Sequence, residues 1–155
     1  APYFRVIDNV KGQKGVLSVE KKLFVETNNG TNRQIRPVTP EQPLRIGDKV
    51  IVRLTIRTDR EMNYVFLKDL RAGCFEPADQ LSGPESRDGI WYYRSPKDVS
   101  ENFFINRLPE GTFVLEYPVY VSRSGEYAGG ISTIQCMYAP EFVSHTAGES
   151  LRIMP

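Results

Sequence analysis

The stretch VIVRLTIRT, residues 50 to 58, constrains the fold more than any other part of the chain. Val50, Val52, Leu54 and Ile56 alternate with Ile51, Arg53, Thr55 and Arg57. Side chains of an extended backbone point to opposite faces in turn. This period of two therefore describes a strand with one apolar face and one largely polar face. Gly47-Asp48-Lys49 supplies a turn just before it. TFVLEYPVYV, residues 112 to 121, repeats the pattern, with Phe113, Leu115, Tyr117, Val119 and Val121 on one face. Pro118 falls on the other and has no amide hydrogen, which predicts a sheet edge or a bulge there.

Further strands are expected over 16–26, 33–38, 62–70, 89–94, 101–106, 131–138 and 150–153. Turn-forming residues stand between them: Asn28-Asn29-Gly30, Pro40 to Pro43, Ser82-Gly83-Pro84, Pro109-Glu110-Gly111 and Gly129-Gly130. A helical turn or two is expected around 95–101, opened by Ser95-Pro96. Short strands recurring about every 8 to 12 residues predict an all-β fold, an antiparallel immunoglobulin- or fibronectin-like β-sandwich. The first 42 residues are less regular. They read as an N-terminal extension, linker or additional β-hairpin segment, leaving 43–155 as the sandwich. In RLPEGTFVLEY, residues 107 to 117, a Leu, a Pro-Gly turn and entering aromatics suggest a fibronectin-like corner. The hydroxyl that often closes such a corner cannot come from Phe113.

The 155 residues suit one compact domain, large enough to fold without metal or crosslinks. A net charge of +1 lacks the basic excess of a nucleic-acid binder. No run of about 18 apolar residues is present, so no membrane-spanning helix is expected. No signal peptide is visible, and the chain opens Ala1-Pro2-Tyr3. Either a removed leader or a piece of a longer protein is expected.

ISTIQCMYAPEFVSH, residues 131 to 145, holds Cys136 and the single histidine, His145. A catalytic thiolate needs a base, an orienting group and oxyanion donors. Alternation instead puts Cys136 between Ile134 and Tyr138 on one face, as a small core residue, and Pro140 leaves His145 in a loop. Cys74 and Cys136 permit one disulfide; two buried free thiols are the simpler expectation. No zinc spacing or calcium loop is present. Asp48, Asp59, Asp69, Asp79, Asp88 and Asp98 recur near turns or strand ends and read as solvated acids. Gly12-Gln13-Lys14-Gly15 is too short for a phosphate loop. Asn29-Gly30-Thr31 fits a glycosylation acceptor, though a hairpin turn is sufficient. Trp91-Tyr92-Tyr93 is the most suggestive aromatic cluster: Trp91 and Tyr93 share a face and Tyr92 opposes them. Exposed aromatics there could stack on sugar rings or anchor a protein interface.

Two long segments carry a family resemblance. They are PLRIGDKVIVRLTIRTDREMNYVFLKDLRAGCFEP and GIWYYRSPKDVSENFFINRLPEGTFVLEYPVYVSRSGEYAGGISTIQCMYAPEF. Their most specific parts are Asn102-Phe103-Phe104 followed by Leu108-Pro109-x-Gly111-Thr112, and Met137-Tyr138-x-Pro140-Glu141. The region 43–153 resembles the C-terminal macroglobulin-like domain of bacterial alpha-2-macroglobulins. The resemblance implies a non-catalytic structural domain, with no cofactor and no metal, at the C-terminus of a protease trap used in bacterial defence. Its partners would be other domains of its own polypeptide, with proteases as targets of the whole protein. Neither nucleic acid nor direct membrane insertion is implied. The parent would be a periplasmic or cell-envelope protein, often lipid-anchored. Many family members hold a thioester in a Cys-x-Glu-Gln motif, which Gln135-Cys136-Met137-Tyr138 does not match. Met137 and Tyr138 are the expected cap over an upstream thioester-type domain, with Trp91, Tyr92 and Tyr93 as further interface candidates. Two other readings stay open: a carbohydrate-binding sandwich using Trp91 and its neighbours, and an enzyme built on Cys136.

Overall fold

A computed structural model describes residues 16–30, 32–78, 83–87, 90–97, 99–148 and 150–155. These form β1 (Leu17–Asn29), β2 (Asn32–Pro37), β3 (Leu44–Arg45), β4 (Lys49–Thr58), β5 (Met62–Leu70), β6 (Phe75–Pro77) and β7 (Gly83–Arg87). They continue with β8 (Ile90–Pro96), β9 (Ser100–Leu108), β10 (Gly111–Val121), β11 (Gly125–Ala128), β12 (Ser132–Cys136), β13 (Val143–His145) and β14 (Ser150–Met154). One sheet runs β2-β1-β4-β10-β6 and a second runs β13-β12-β5-β9-β8-β7. A small third sheet, β11-β14-β3, contains the parallel pair β14–β3. The two large sheets are antiparallel throughout, as the sandwich reading requires.

The alternation of β4 is realised as read. Val50, Val52, Leu54 and Ile56 are buried, and Arg53, Thr55 and Arg57 face outward. β10 supplies Leu115, Tyr117, Val119 and Val121 to the same interior. β6 pairs only with Val119 to Val121, so Pro118 stands where that side of the ladder ends. The β1–β2 hairpin begins with a strand paired to β4 from Leu17 to Glu26, and Leu17, Val19 and Val25 are core residues. Val65, Leu67, Ile90, Tyr92, Phe103, Ile105 and Ile134 fill the interior from the second sheet. Phe103 touches Tyr92 and Tyr117 at ring-centroid distances of 5.7 and 6.1 Å. Each fully buried aliphatic or aromatic side chain contributes about 1.5–3 kcal/mol. The core closes within these residues, which gives the chain the interior of an independently folding unit.

Two local findings differ from the sequence reading. No helix occurs among the described residues of 95–101. Ser95-Pro96 ends β8, Lys97 N–H donates to Ser100 O at 2.8 Å, and the chain returns as β9. The Asn102 amide fastens this hairpin by donating to Ser95 O (3.0 Å) and Ser100 Oγ (3.1 Å). In β5, the period of two slips. Met62 and Val65 are both buried, with exposed Asn63 and Tyr64 between them. Tyr64 has φ 59°, the only positive φ of a non-glycine among the described residues. A left-handed conformation costs such a residue roughly 1–2 kcal/mol. The facing strand slips in step: Ile105 and Leu108 are buried, with exposed Asn106 and Arg107 between them.

Candidate interaction face

The outer face of the second sheet gathers most of the expected site residues. Register aligns Gln135, Phe66, Phe104 and Tyr93 across β12, β5, β9 and β8. Phe66 and Phe104 stack with centroids 4.8 Å apart. Trp91 lies two residues along β8 from Tyr93 and is 71% exposed. Tyr92 turns inward and is buried, so it supports the face from below rather than presenting to a partner. The β8–β9 ladder covers Tyr93 to Pro96. Beyond it lies a cleft of about 400 Å³, lined in part by Trp91, Tyr93, Phe104, Asn106 and Arg107.

At the other end of this face, Met137 and Tyr138 follow β12. They are 53% and 76% exposed, and the Tyr138 ring lies 4.6 Å from that of Tyr64. The loop carrying them is tightly bonded. Ala139 N–H donates to Cys136 O (3.2 Å), Phe142 N–H to Ala139 O (2.9 Å) and Cys136 N–H to Phe142 O (3.0 Å). Met137 N–H donates to Tyr64 O at 2.8 Å. Phe142 packs against the core, and the Arg60 guanidinium sits 5.2 Å from its ring centre.

The cysteine–histidine pairing is not assembled. His145 stands opposite Thr133 in the β12–β13 ladder, while Cys136 Sγ donates to Asn63 O at 3.4 Å. Cys74 and Cys136 are both free and buried, with no disulfide between them. Burial pushes the Cys74 thiol above its ordinary pKa, against the direction a nucleophile needs. No cluster of three potential metal ligands occurs among the described residues.

The solvated-acid reading fails at Asp69, which is fully buried at the end of β5. It accepts from Lys21 Nζ at 2.7 Å, from Ser132 Oγ at 2.6 Å and from the Tyr117 hydroxyl. Lys21 also reaches Leu70 O (3.3 Å) and Gly130 O (3.2 Å). Buried Glu101 lies in the same interior, held by Arg94 through Nε (3.2 Å) and Nη2 (3.0 Å). Arg71 donates to Ser100 O (3.1 Å) and lies 3.9 Å from Glu101. Burial raises the Glu101 pKa, against the lowering pull of Arg94 and Arg71. Burial and the neighbouring Asp69 carboxylate push the Tyr117 phenol far up. The sequence signal that was available is position: Asp69, Lys21 and Tyr117 all fall on the inward parity of their strands. These groups neutralise one another and tie the two sheets together. Asp48 and Asp59 do sit at turns, bonding Arg45 N–H (2.9 Å) and Arg60 (2.9 Å). Asp79, Asp88 and Asp98 lie outside the described residues.

A larger groove, about 830 Å³, lies beside β1, β2 and β14 and is lined largely by apolar groups such as Leu23, Phe24, Val38, Leu44 and Leu151. Glu20, Lys22 and Arg152 also line it, whereas the aromatic face gathers most of the expected site residues and is the candidate.

The family model described as "Bacterial Alpha-2-macroglobulin MG10 domain" matches residues 17–141. The chain belongs to the bacterial alpha-2-macroglobulin MG10 domain family. The fold of this MG10 domain is similar to that in Salmonella alpha-2-macroglobulin reacted with methylamine. The TM-score is 0.68 at 22% identity, over 90% of this chain and 9% of that one. It is also similar to native alpha-2-macroglobulin from Escherichia coli, spanning the residues from domain MG7 to the C-terminus. There the TM-score is 0.68 at 17% identity, over 90% of this chain and 24% of that one. A 28% identical stretch of 109 residues is shared with Circularly permutated Ras protein 2 of Dictyostelium discoideum, covering 70% of this chain and 3% of that protein. The chain thus spans only a small part of the length of these relatives. It is a structural domain of a macroglobulin-like protein.

Proposed function

We propose that this domain is a non-catalytic packing module at the C-terminus of a protease-trapping macroglobulin. Its aromatic face docks on an upstream, thioester-type domain of the same polypeptide. The carrying observation is the exposed, pre-organised end of that face: the Tyr138 ring packs at a 50° tilt against that of Tyr64 at the apex of a hydrogen-bonded loop, with Met137 beside it. Rigid aromatic anchors lose little freedom on binding, and a flexible Met fills the gaps around them. A reactive acyl-thiol survives where water is excluded, and such side chains are suited to closing over one. The chain covers only 9% to 24% of the macroglobulins above, so in proteins of that size most neighbouring surface belongs to other domains. The parent is proposed to act in the cell envelope or periplasm, lipid-anchored, with proteases as its targets.

Calorimetric titration of the 155-residue chain into the upstream remainder of its polypeptide tests this. Saturable binding is expected, weakened at least tenfold by Met137→Asp or Tyr138→Asp, as for a buried anchor contributing about 1–2 kcal/mol or more. No binding at high micromolar concentration rejects the docking. A second reading rests on the cleft beside Trp91, where an aromatic platform faces Asn106 and Arg107. Under that reading a sugar ring stacks on the indole, and oligosaccharide titration shifts Trp91 fluorescence. Unchanged emission excludes it.

A further inference from the structure

Tyr64 is the one non-glycine residue with positive φ among those described, and it lies under the most exposed tyrosine of the face. Its neighbours Asn63 and Val65 keep their pairing with Arg107 and Ile105, so the strand gains no residue there. The left-handed turn instead shifts the alternation ahead of it: Tyr64 keeps the outward parity of Phe66 and Lys68, while Asn63 turns outward and Met62 inward. A β-region backbone at Tyr64 would restore strict alternation and require one of its neighbours to change face. Glycine or asparagine would adopt this conformation with less strain. A bulky aromatic kept at a strained position is better explained by its ring than by its backbone.

Among the described residues that ring packs against Tyr138, with centroids 4.6 Å apart and the planes tilted by 50°. The same residue fixes Tyr138 a second time, because Tyr64 O accepts the Met137 amide at 2.8 Å. Backbone and side chain of a single strained residue thus both hold the loop apex.

We infer that Tyr64 is the positioning residue that fixes Tyr138 in its docking pose. The proposal deepens the docking reading and rests on it for its partner, the upstream domain of the same polypeptide. Tyr64 shares the outward parity of Phe66 and Lys68, the left-handed backbone turns Asn63 outward beside it, and the Tyr64 ring removes rotational freedom from Tyr138 before the partner arrives. Ordering in advance lowers the entropy lost on association.

The test uses the 155-residue chain carrying Tyr64→Gly, Tyr64→Phe or Tyr138→Asp, with two readouts. The first is ¹³C relaxation and ring-current shift of the Tyr138 side chain in the free chain. Tyr64→Gly is expected to leave the urea midpoint unchanged or raised, since glycine suits φ 59°. It should also free the Tyr138 ring, while Tyr64→Phe matches the wild type. The second readout is affinity for the upstream remainder. Tyr64→Gly should weaken it at least tenfold and Tyr64→Phe less than twofold.

Tyr138 signals unchanged in Tyr64→Gly overturn the inference, whether or not any partner binds. A freed Tyr138 with wild-type affinity overturns it too, provided Tyr138→Asp weakens binding. If the wild-type chain binds nothing, the docking reading fails by itself, and a freed Tyr138 still supports the positioning role.

Discussion

The outer faces of the two large sheets follow the same alternation, save for the slip at Tyr64, and end in opposite chemistry. On the five-stranded sheet, one row reads Lys22, Arg53, Glu116 across β1, β4 and β10. Arg53 Nε binds Glu116 at 2.6 Å and its guanidinium covers the Phe24 ring at 4.4 Å. Glu26 holds Arg33 at 2.7 Å and Lys49 at 3.1 Å. On the six-stranded sheet the corresponding row is Gln135, Phe66, Phe104, Tyr93, with Tyr64 and Tyr138 at one end. A face of paired charges is already at ease with water, and each exposed pair adds little stability. A contiguous aromatic face leaves apolar area in water, and the proposed docking would cover it. Both sheets also send apolar side chains into one shared core, so the contrast between them is one of outward parity.

The largest expected effect breaks both faces together. Asp69 on β5 bonds Lys21 of β1, Tyr117 of β10 and Ser132 of β12, so one carboxylate joins the two sheets. Asp69→Ala leaves a mostly buried ammonium without its anion and should cost about 3–5 kcal/mol. Urea unfolding followed by Trp91 fluorescence and by far-ultraviolet dichroism should shift by the same amount. A loss below about 1 kcal/mol would show that the sheets do not depend on this junction. Gly130→Ala attacks the same place by volume. A Cβ there falls 1.6 Å from Leu70 O, the acceptor of Lys21. Overpacking against backbone costs about 1–3 kcal/mol or more, read from the same urea curves.

How much of this was legible follows from what alternation encodes. The strands β4 and β10 could be read almost residue by residue, because each face is uniform over a long run. The strands β3, β6, β7, β11 and β13 were missed; four of these five have only two to four residues, too few to show a period. The helix expected at 95–101 is a hairpin, because Asn102 fastens Ser95 to Ser100 through contacts no pattern announces. Asp69 looked like a loop acid because its partners lie 48, 48 and 63 positions away in sequence. The opposed directions of Trp91 and Tyr92 were legible from parity. The slip at Tyr64 was not, since nothing in Met62-Asn63-Tyr64-Val65 signals a left-handed residue as a glycine would.

A middle-sized effect separates the two faces. Phe104→Ser on the aromatic row removes a stacked partner of Phe66 and should cost about 0.5–1 kcal/mol of stability. Its effect on affinity for the upstream remainder should be larger, at least fivefold, in calorimetric titration. Arg53→Ala on the charged face should cost no more than about 1 kcal/mol and leave affinity unchanged. Equal losses of affinity from both substitutions would mean that the aromatic face is not the docking surface.

The smallest expected effect sets two carboxylates against each other by pH. Glu26, on the charged face, has its pKa lowered, chiefly by the hydrogen bond from Arg33. A lowered folded pKa adds stability above the unfolded value near 4.5, and that stability is lost as pH falls through the folded value. Glu101, inside, has its pKa raised by burial. The folded chain then holds this proton more tightly than the unfolded one, so its contribution declines as pH rises from about 4.5 through the raised value. Glu101→Gln should therefore flatten the fall in stability on the alkaline side of that window, measured as urea midpoints from pH 4 to pH 7. Glu26→Gln should flatten the fall on the acid side instead. If Glu101→Gln instead flattens the loss toward acid, Arg94 has won over burial, and the interior carboxylate behaves like the one on the charged face.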